Sequence, residues 1–141
     1  MGVVLDAILL TVCLLCVPAP SHEGSGDMDL LPGMPSNISV DDPAVRNATL
    51  AAVYRYNNAS NDVYLFKVQR MLDAQVQIVA GLKYLLHFDI GRTVCRKEHP
   101  YNFKRCSFQT SPSLIKKYEC HAGVWVAPYT QKWRVIAIKC L

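Results

Sequence analysis

The stretch Val76-Gln77-Ile78-Val79-Ala80-Gly81-Leu82-Lys83-Tyr84, continued by Leu85-Leu86-His87-Phe88-Asp89-Ile90, decides how this chain folds. Leu82, Tyr84, Leu86, Phe88 and Ile90 alternate with Lys83, His87 and Asp89, and only Leu85 breaks the pattern. A period of two sends successive side chains to opposite faces of a strand, here one apolar and one polar. Upstream, Val76 stands between Gln75 and Gln77 in the same alternation. Gly81 separates the two runs, and a residue without Cβ adopts φ > 0 at little cost, so the chain can reverse there without an Asn-Gly or Asp-Gly turn. Gln77 to Gly81 therefore reads either as the tip of a β-hairpin or as a bulge within one continuous buried strand. As a tip it is unusually apolar. Turns are ordinarily polar, and Ile78, Val79 and Ala80 held out at a hairpin end imply a surface for them to meet.

Further along, Val124-Trp125-Val126-Ala127 and Trp133-Arg134-Val135-Ile136-Ala137-Ile138 carry the branched and aromatic residues that strands favour. With Pro128-Tyr129-Thr130-Gln131 between them, they predict a second hairpin with strands over 114–127 and 132–140. Before the first hairpin, Asp41-Asp42-Pro43 supplies a helix start, with Asp42 as cap and Pro43 at the first helical position. Val45, Ala48, Ala52, Val53 and Tyr56 then recur at three- and four-residue spacing, with Arg46, Asn47 and Arg55 off the stripe. This helix is expected to end near Asn57 or Asn58, and residues 57–62 have turn composition leading into a strand near Val63. One helix and about four long strands make an α+β fold, in which the helix stripe is buried on the open face of an antiparallel sheet.

A chain of 141 residues, 51% of them hydrophobic, suffices for one compact domain with its own core. Residues 3–17 form a largely apolar run interrupted by Asp6, followed by Pro18-Ala19-Pro20-Ser21, which reads as a secretory signal peptide over 1–21 cleaved before His22. An uncleaved anchor is the alternative reading, but the run is shorter than the roughly 20 residues of a membrane span, so no membrane partner is expected. Without residues 1–21 the chain has 15 basic and 11 − 1 = 10 acidic residues, net +5, and four of its cysteines. Its basic pairs Arg96-Lys97, Lys104-Arg105 and Lys116-Lys117 are dispersed and form no stripe, so nucleic acid is not an expected partner either. Four cysteines in an oxidising compartment allow three pairings. The sequential one is favoured: Cys95 with Cys106 staples the loop after the second strand of the first hairpin, and Cys120 with Cys140 ties two late strands. Each such link is worth roughly 3 kcal/mol on the chain-entropy model. A zinc site from Cys95, His99, Cys106 and Cys120 competes for the same residues, but its spacing matches no zinc pattern. His22, His87, His99 and His121 show no metal-ligand spacing along the chain and no nucleophile motif accompanies them. No metal, no cofactor and no enzymatic activity are expected.

Residues 22–36, rich in Gly, Pro, Ser and Asp, read as a flexible arm. Within it, Leu30-Leu31-Pro32-Gly33-Met34-Pro35 is a small apolar segment, whose leucines either contact a partner or pack on the sheet. Sequons at Asn37-Ile38-Ser39, Asn47-Ala48-Thr49 and Asn58-Ala59-Ser60 are open to glycosylation on a secretory route. Asn37 and Asn58, expected in loops, are the better acceptors.

The arm at Leu31-Pro32-Gly33, the tip at Gln77 to Gly81 and the turn at Pro128-Tyr129, in this order, resemble the secreted two-disulfide cystatins. Gln77, Val79 and Gly81 match that family's Gln-x-Val-x-Gly signature, Gly33 aligns with its amino-terminal glycine, and the cysteine spacing agrees. The resemblance covers about residues 31–141, and Gly81-Leu82-Lys83-Tyr84, Ile90-Gly91-Arg92-Thr93-Val94-Cys95 and Phe108-Gln109-Thr110 point to one branch of the family. It implies a domain over 37–141 with one long helix packed across a curved antiparallel sheet of four to five strands. It also implies tight, reversible inhibition of papain-like cysteine proteases, the cathepsins, by a wedge of Leu31, Pro32, Gly33, Gln77, Ile78, Val79, Ala80, Gly81, Pro128 and Tyr129. A secreted address follows, with an endosomal or lysosomal one alongside it. The competing reading is a binding module that has the same fold and inhibits nothing. There are two departures. Tyr129 replaces the family's Trp, with less apolar area and a hydroxyl to satisfy. The branch's extra cysteines, which join two copies, are missing, with Ala59 where one would lie, so a monomer is expected. Some family members inhibit the asparagine-specific protease legumain through an asparagine after the helix, and Asn61, flanked by Ser60 and Asp62, matches it.

Overall fold

The computed structural model describes residues 32–99, 102 and 105–141. The expected signal peptide over 1–21, most of the arm including Leu30 and Leu31, and Lys104 lie outside the described residues. In chain order come β1 (Ser36–Asn37), α1 (Pro43–Ala59), β2 (Tyr64–Ile78), β3 (Leu82–Arg96), β4 (Lys117–Val126) and β5 (Trp133–Cys140). The strands form one antiparallel sheet in the order β1-β2-β3-β4-β5, and α1 packs across one face of it. The short β1 places the end of the expected flexible arm in the sheet, with Ser36 opposite Val76 and Asn37 opposite Gln75.

α1 begins where the sequence predicts. The Asp42 carboxylate accepts from the Ala44 amide at 2.7 Å and Pro43 occupies the first turn. Its stripe is buried at Val45, Ala48, Ala52 and Val53, and Thr49 joins them because its hydroxyl donates to the Val45 carbonyl at 2.8 Å. The helix ends at Ala59, next to the expected end near Asn57 or Asn58. Asn57, read as a turn residue, is instead a core residue. Its side-chain amide donates to the Phe66 carbonyl and its side-chain oxygen accepts from the Phe66 amide, each at 2.9 Å. Buried polar groups are tolerated only when paired, and this amide does for β2 what another strand would do.

On β3, Tyr84, Leu86, Phe88 and Ile90 are all buried beneath the helix, as the alternation requires. β4 adds Ala122, Val124 and Val126. β2 is less regular, with register shifts between Tyr64 and Phe66, Val68 and Arg70, and Met71 and Asp73. The last two each insert a residue into β2, whereas the first places the extra residues on β3, so from Phe66 onward the side chains in or against the core are Phe66, Val68, Met71, Ala74 and Val76, at steps of two and three. Such bulges bend and twist a strand, which lets a hairpin of two 15-residue strands curve around the helix. Full burial of Phe66, Phe88 and Ile90 contributes about 1.5–3 kcal/mol each.

β4 starts at Lys117 and not at Leu114. The amides of Leu114 and Ile115 donate back to the Ser111 carbonyl at 2.9 and 3.0 Å, closing a turn that contains Pro112. Cys95 is bonded to Cys106 and Cys120 to Cys140, with Cα separations of 5.8 and 4.1 Å. The second pair sits directly opposite in the β4–β5 register. The first fastens the end of β3 to the returning loop, next to an isolated bridge between Thr93 and Phe108. No helix among the described residues is long and apolar enough to cross a membrane.

Candidate functional site

Ile78 closes β2 opposite Leu82, so the first hairpin has a three-residue tip, Val79-Ala80-Gly81, while Gln77 and Ile78 belong to the strand. The reversal takes two residues at positive φ, Ala80 at 45° and Gly81 at 133°, where the sequence had suggested Gly81 alone. The Val79 amide donates to the Gly81 carbonyl at 3.0 Å. Crowding explains why this position must be glycine. A Cβ on Gly81 would sit 2.6 Å from the Val126 carbonyl oxygen and 2.9 Å from the Trp125 Nε1. The second hairpin thus passes directly against the first tip. Leu82 pairs with Val126, and the Trp125 indole N–H donates to the Val79 carbonyl at 3.2 Å. Trp125 was read only as a strand former; its role as the brace of the tip depends on register and had no signal along the chain.

The arm is tied to the same place. The Gly33 amide donates to the Ile78 carbonyl at 3.1 Å, and the Gln77 Nε2 donates to the Gly33 carbonyl at 2.8 Å. Both main-chain groups of Gly33 are engaged and its φ is +83°, so it is a pinned residue and not a free hinge. A Cβ there would meet nothing within 4 Å, so substitution is opposed by backbone conformation and not by crowding within the chain. Gln77, expected to face a partner, spends its side chain on the arm. Pro32 and Met34 are exposed on either side. Leu31 lies outside the described residues.

The second turn spans the residues between β4 and β5, with the Thr130 hydroxyl donating to the Ala127 carbonyl at 3.3 Å. Pro128 is exposed and Tyr129, at φ 58°, is fully so. Below it Trp133 packs on Tyr84 with ring centroids 5.8 Å apart, rooting the turn in the core. Pro32, Gly33, Val79, Ala80, Gly81, Pro128 and Tyr129 are therefore brought to one end of the sheet, held by three side chains and the strand register. The residues gathered at this edge are mostly apolar, with the exposed Thr130, Gln131 and Lys132 following Tyr129 in the second turn. Their exposed apolar surface suits contact with another molecule.

Asn61 lies beyond the other end of β2, a 15-residue strand that at the usual rise per residue is roughly 50 Å long when straight. Its neighbours are fixed. The Asp62 amide donates to Ser60 Oγ at 3.1 Å, the Asp62 carboxylate accepts from the Tyr64 amide at 3.0 Å and from Arg92 Nε at 3.1 Å, and Arg92 Nη2 makes a further contact. Lys97 Nζ donates to the Ser60 carbonyl, and Arg92 Nη1 to the Leu114 carbonyl at 3.1 Å. Burial pushes the Asp62 pKa up, but the Tyr64 amide and the Arg92 guanidinium outweigh it and hold the carboxyl below its ordinary value. Asn61 is exposed between these two anchored residues. Arg92 and Lys97, some 30 residues on in sequence, were not legible as part of this loop.

The three sequon asparagines are exposed, but none is in a loop: Asn37 is in β1, accepting from Gln75 Nε2 at 3.2 Å, while Asn47 and Asn58 are on α1. The histidines also require a correction. They lack metal-ligand spacing along the chain, yet the β3–β4 register sets His87 opposite His121 and brings Glu119 to both.

A model of the cystatin domain matches residues 33–125. Mouse cystatin-F is 37% identical over 142 residues, covering 95% of this chain and 97% of that protein. Human cystatin-F is 42% identical over 109 residues, covering 77% and 75%, and human cystatin-C is 37% identical over 121 residues, covering 86% and 82%. Among solved structures, dimeric human cystatin F superposes with a TM-score of 0.75 at 38% identity, over 86% of this chain and 96% of that one. A salivary cystatin of the soft tick Ornithodoros moubata has the same fold at 19% identity, with a TM-score of 0.64.

Proposed function

The chain belongs to the cystatin family of cysteine-protease inhibitors, and from that premise we propose that it inhibits papain-like enzymes, the cathepsins, tightly and reversibly by filling their active-site cleft. The observation that carries this reading is the convergence of three apolar elements on one edge of the sheet. Leu31, Pro32 and Gly33 enter the cleft on one side of the protease thiol, the tip from Gln77 to Gly81 fills the centre, and Pro128 and Tyr129 lie on the other side. The Trp125 and Gln77 side chains hold these pieces together before any encounter, so docking leaves little ordering entropy to lose. The alternative of a binding module without inhibitory activity is disfavoured by Val79 and Tyr129, whose exposed apolar surface serves no packing purpose. Titrating papain with the purified protein decides the matter: one-to-one loss of activity is expected, and full protease activity in micromolar protein overturns the reading.

A second site, against legumain, is supported by the exposed Asn61 held between anchored neighbours far from the wedge. Asn61→Gln is expected to abolish legumain inhibition and leave papain inhibition intact. Glycans at Asn37, Asn47 or Asn58 fit a secreted chain that also reaches endosomes or lysosomes, and one on Asn58 would shield Asn61, so Asn58→Gln leaves legumain inhibition equal or stronger. Failure of the unglycosylated protein to inhibit legumain removes this site. With four cysteines beyond residue 21, all paired internally, the active form is a monomer. Non-reducing electrophoresis tests this, a band at twice the monomer mass that collapses on reduction being the contrary result.

A further inference from the structure

The face of the sheet turned away from α1 is polar along one cross-strand row: Asp73 of β2 is opposite His87 of β3, His87 opposite His121 of β4, and His121 opposite Lys139 of β5. Two residues on, Glu119 is diagonal to His87 and reaches both imidazoles. Its Oε1 is 2.5 Å from His87 Nε2 and 3.8 Å from His121 Nε2. The two rings stack with centroids 4.1 Å apart and planes 15° from parallel. One ligand atom from each of the three residues falls within 4.8 Å of the others. Two imidazole nitrogens and a carboxylate oxygen make a donor set that suits a borderline divalent ion. Calcium and magnesium, by contrast, prefer oxygen ligands alone.

We propose that His87, His121 and Glu119 form a binding site for a divalent transition-metal ion, zinc foremost, bridging β3 and β4. A zinc ion with bonds of about 2.0–2.1 Å needs its ligands about 3.4 Å apart and lies in the plane of each imidazole. Binding therefore unstacks the two rings, the exposed His121 side chain swinging to another rotamer while the Glu119 carboxyl turns toward it. The ion takes the place of the His87–Glu119 hydrogen bond, the imidazole keeping its one proton on Nδ1 so that Nε2 can coordinate, and leaves one coordination position for water or for a donor from another molecule. The surrounding charges nearly cancel. Asp73 and Asp89 lie on the row or next to it, Asp89 is engaged by Arg70 at 3.1 Å, and Lys139 adjoins His121. Protein folds tolerate this cluster without a metal because all three side chains reach water. His87 is six residues beyond Gly81, about 20 Å from the hairpin tip, so the site is independent of the inhibitory reading and remains accessible when the wedge is engaged.

Zinc chloride titrated by calorimetry into the disulfide-bonded protein, in a non-chelating buffer above the histidine range, tests the proposal. One ion per chain is expected, and zinc at about a hundredfold excess over Kd raises Tm by about 10 °C because the ion binds only the folded register. His121→Ala and Glu119→Gln each weaken binding by at least about tenfold, since losing a direct ligand costs more than losing an outer hydrogen bond. His87→Gln provides a further variant should either fold poorly by circular dichroism, and His99→Ala leaves the isotherm unchanged. Absence of zinc uptake by the folded protein, or uptake that survives His121→Ala and His87→Gln alike, overturns the proposal.

Discussion

Replacing Gln77 by alanine tests whether the wedge works by being assembled in advance. The Nε2–Gly33 carbonyl hydrogen bond, 2.8 Å long and exposed, joins residues 44 positions apart. An exposed hydrogen bond contributes about 1 kcal/mol net. Its loss leaves the Gly33 amide still bonded to the Ile78 carbonyl, so Gly33 is loosened but not freed. Releasing the arm completely would add about 1 kcal/mol for every residue to be ordered again on docking. The expected effect of Gln77→Ala is therefore about 1 kcal/mol, a fivefold weaker inhibition constant for papain, expressed mainly as faster dissociation. The assay is a double-mutant cycle: inhibition constants for the protein, for Gln77→Ala, for the chain lacking residues 1–33, and for the combination. If Gln77 acts through the arm, the substitution has no further effect once the arm is gone, and the coupling energy is about 1 kcal/mol. An equal loss with and without the arm would show that the glutamine touches the protease itself, and the preorganisation argument would fail.

Tyr129 is fully exposed, so its replacement by tryptophan adds apolar area without disturbing the fold; about 40 Å² at 25 cal/mol per Å² gives about 1 kcal/mol, or fivefold tighter papain inhibition, and an unchanged or weaker constant contradicts a contact role for this turn. Asn57→Ala removes both partners of the Phe66 main chain in the core and is expected to cost about 2–4 kcal/mol in urea unfolding, against less than 1 kcal/mol if Asn57 were an ordinary turn residue. Asp62 has a folded pKa below its unfolded value, so its contribution is complete above about pH 4 and is lost as pH falls through the folded value. The Tm of the wild type should therefore drop more steeply than that of Asp62→Asn below about pH 4, and the two should run level between about pH 5 and 7; parallel curves throughout would remove the Arg92 pair from the stability account.

What the sequence by itself determined is what adjacent residues encode. The alternation from Leu82 to Ile90 set which side of β3 is buried, and Asp42-Pro43 started the helix on the residue where it begins. The match of Gln77, Val79 and Gly81 to the family signature marked the hairpin tip that their alternation alone left open, and cysteine parity anticipated two internal disulfides. The short-range rules failed where a partner from elsewhere in the chain overrode them. Asn57 looked like a turn residue and is bonded to the Phe66 main chain from within the helix, and the inward face of β2 follows no constant period because two insertions shift it. The juxtapositions that matter most were decided by tertiary structure alone: Gln77 on Gly33, Trp125 under Val79 and Gly81, Arg92 on Asp62, and His87 beside His121 and Glu119. Each depends on strand register, and a slip of one residue would turn every one of these side chains to the opposite face. Register is set by the sum of core packing, bulges and turn lengths across the whole sheet, and no local window of sequence contains that sum.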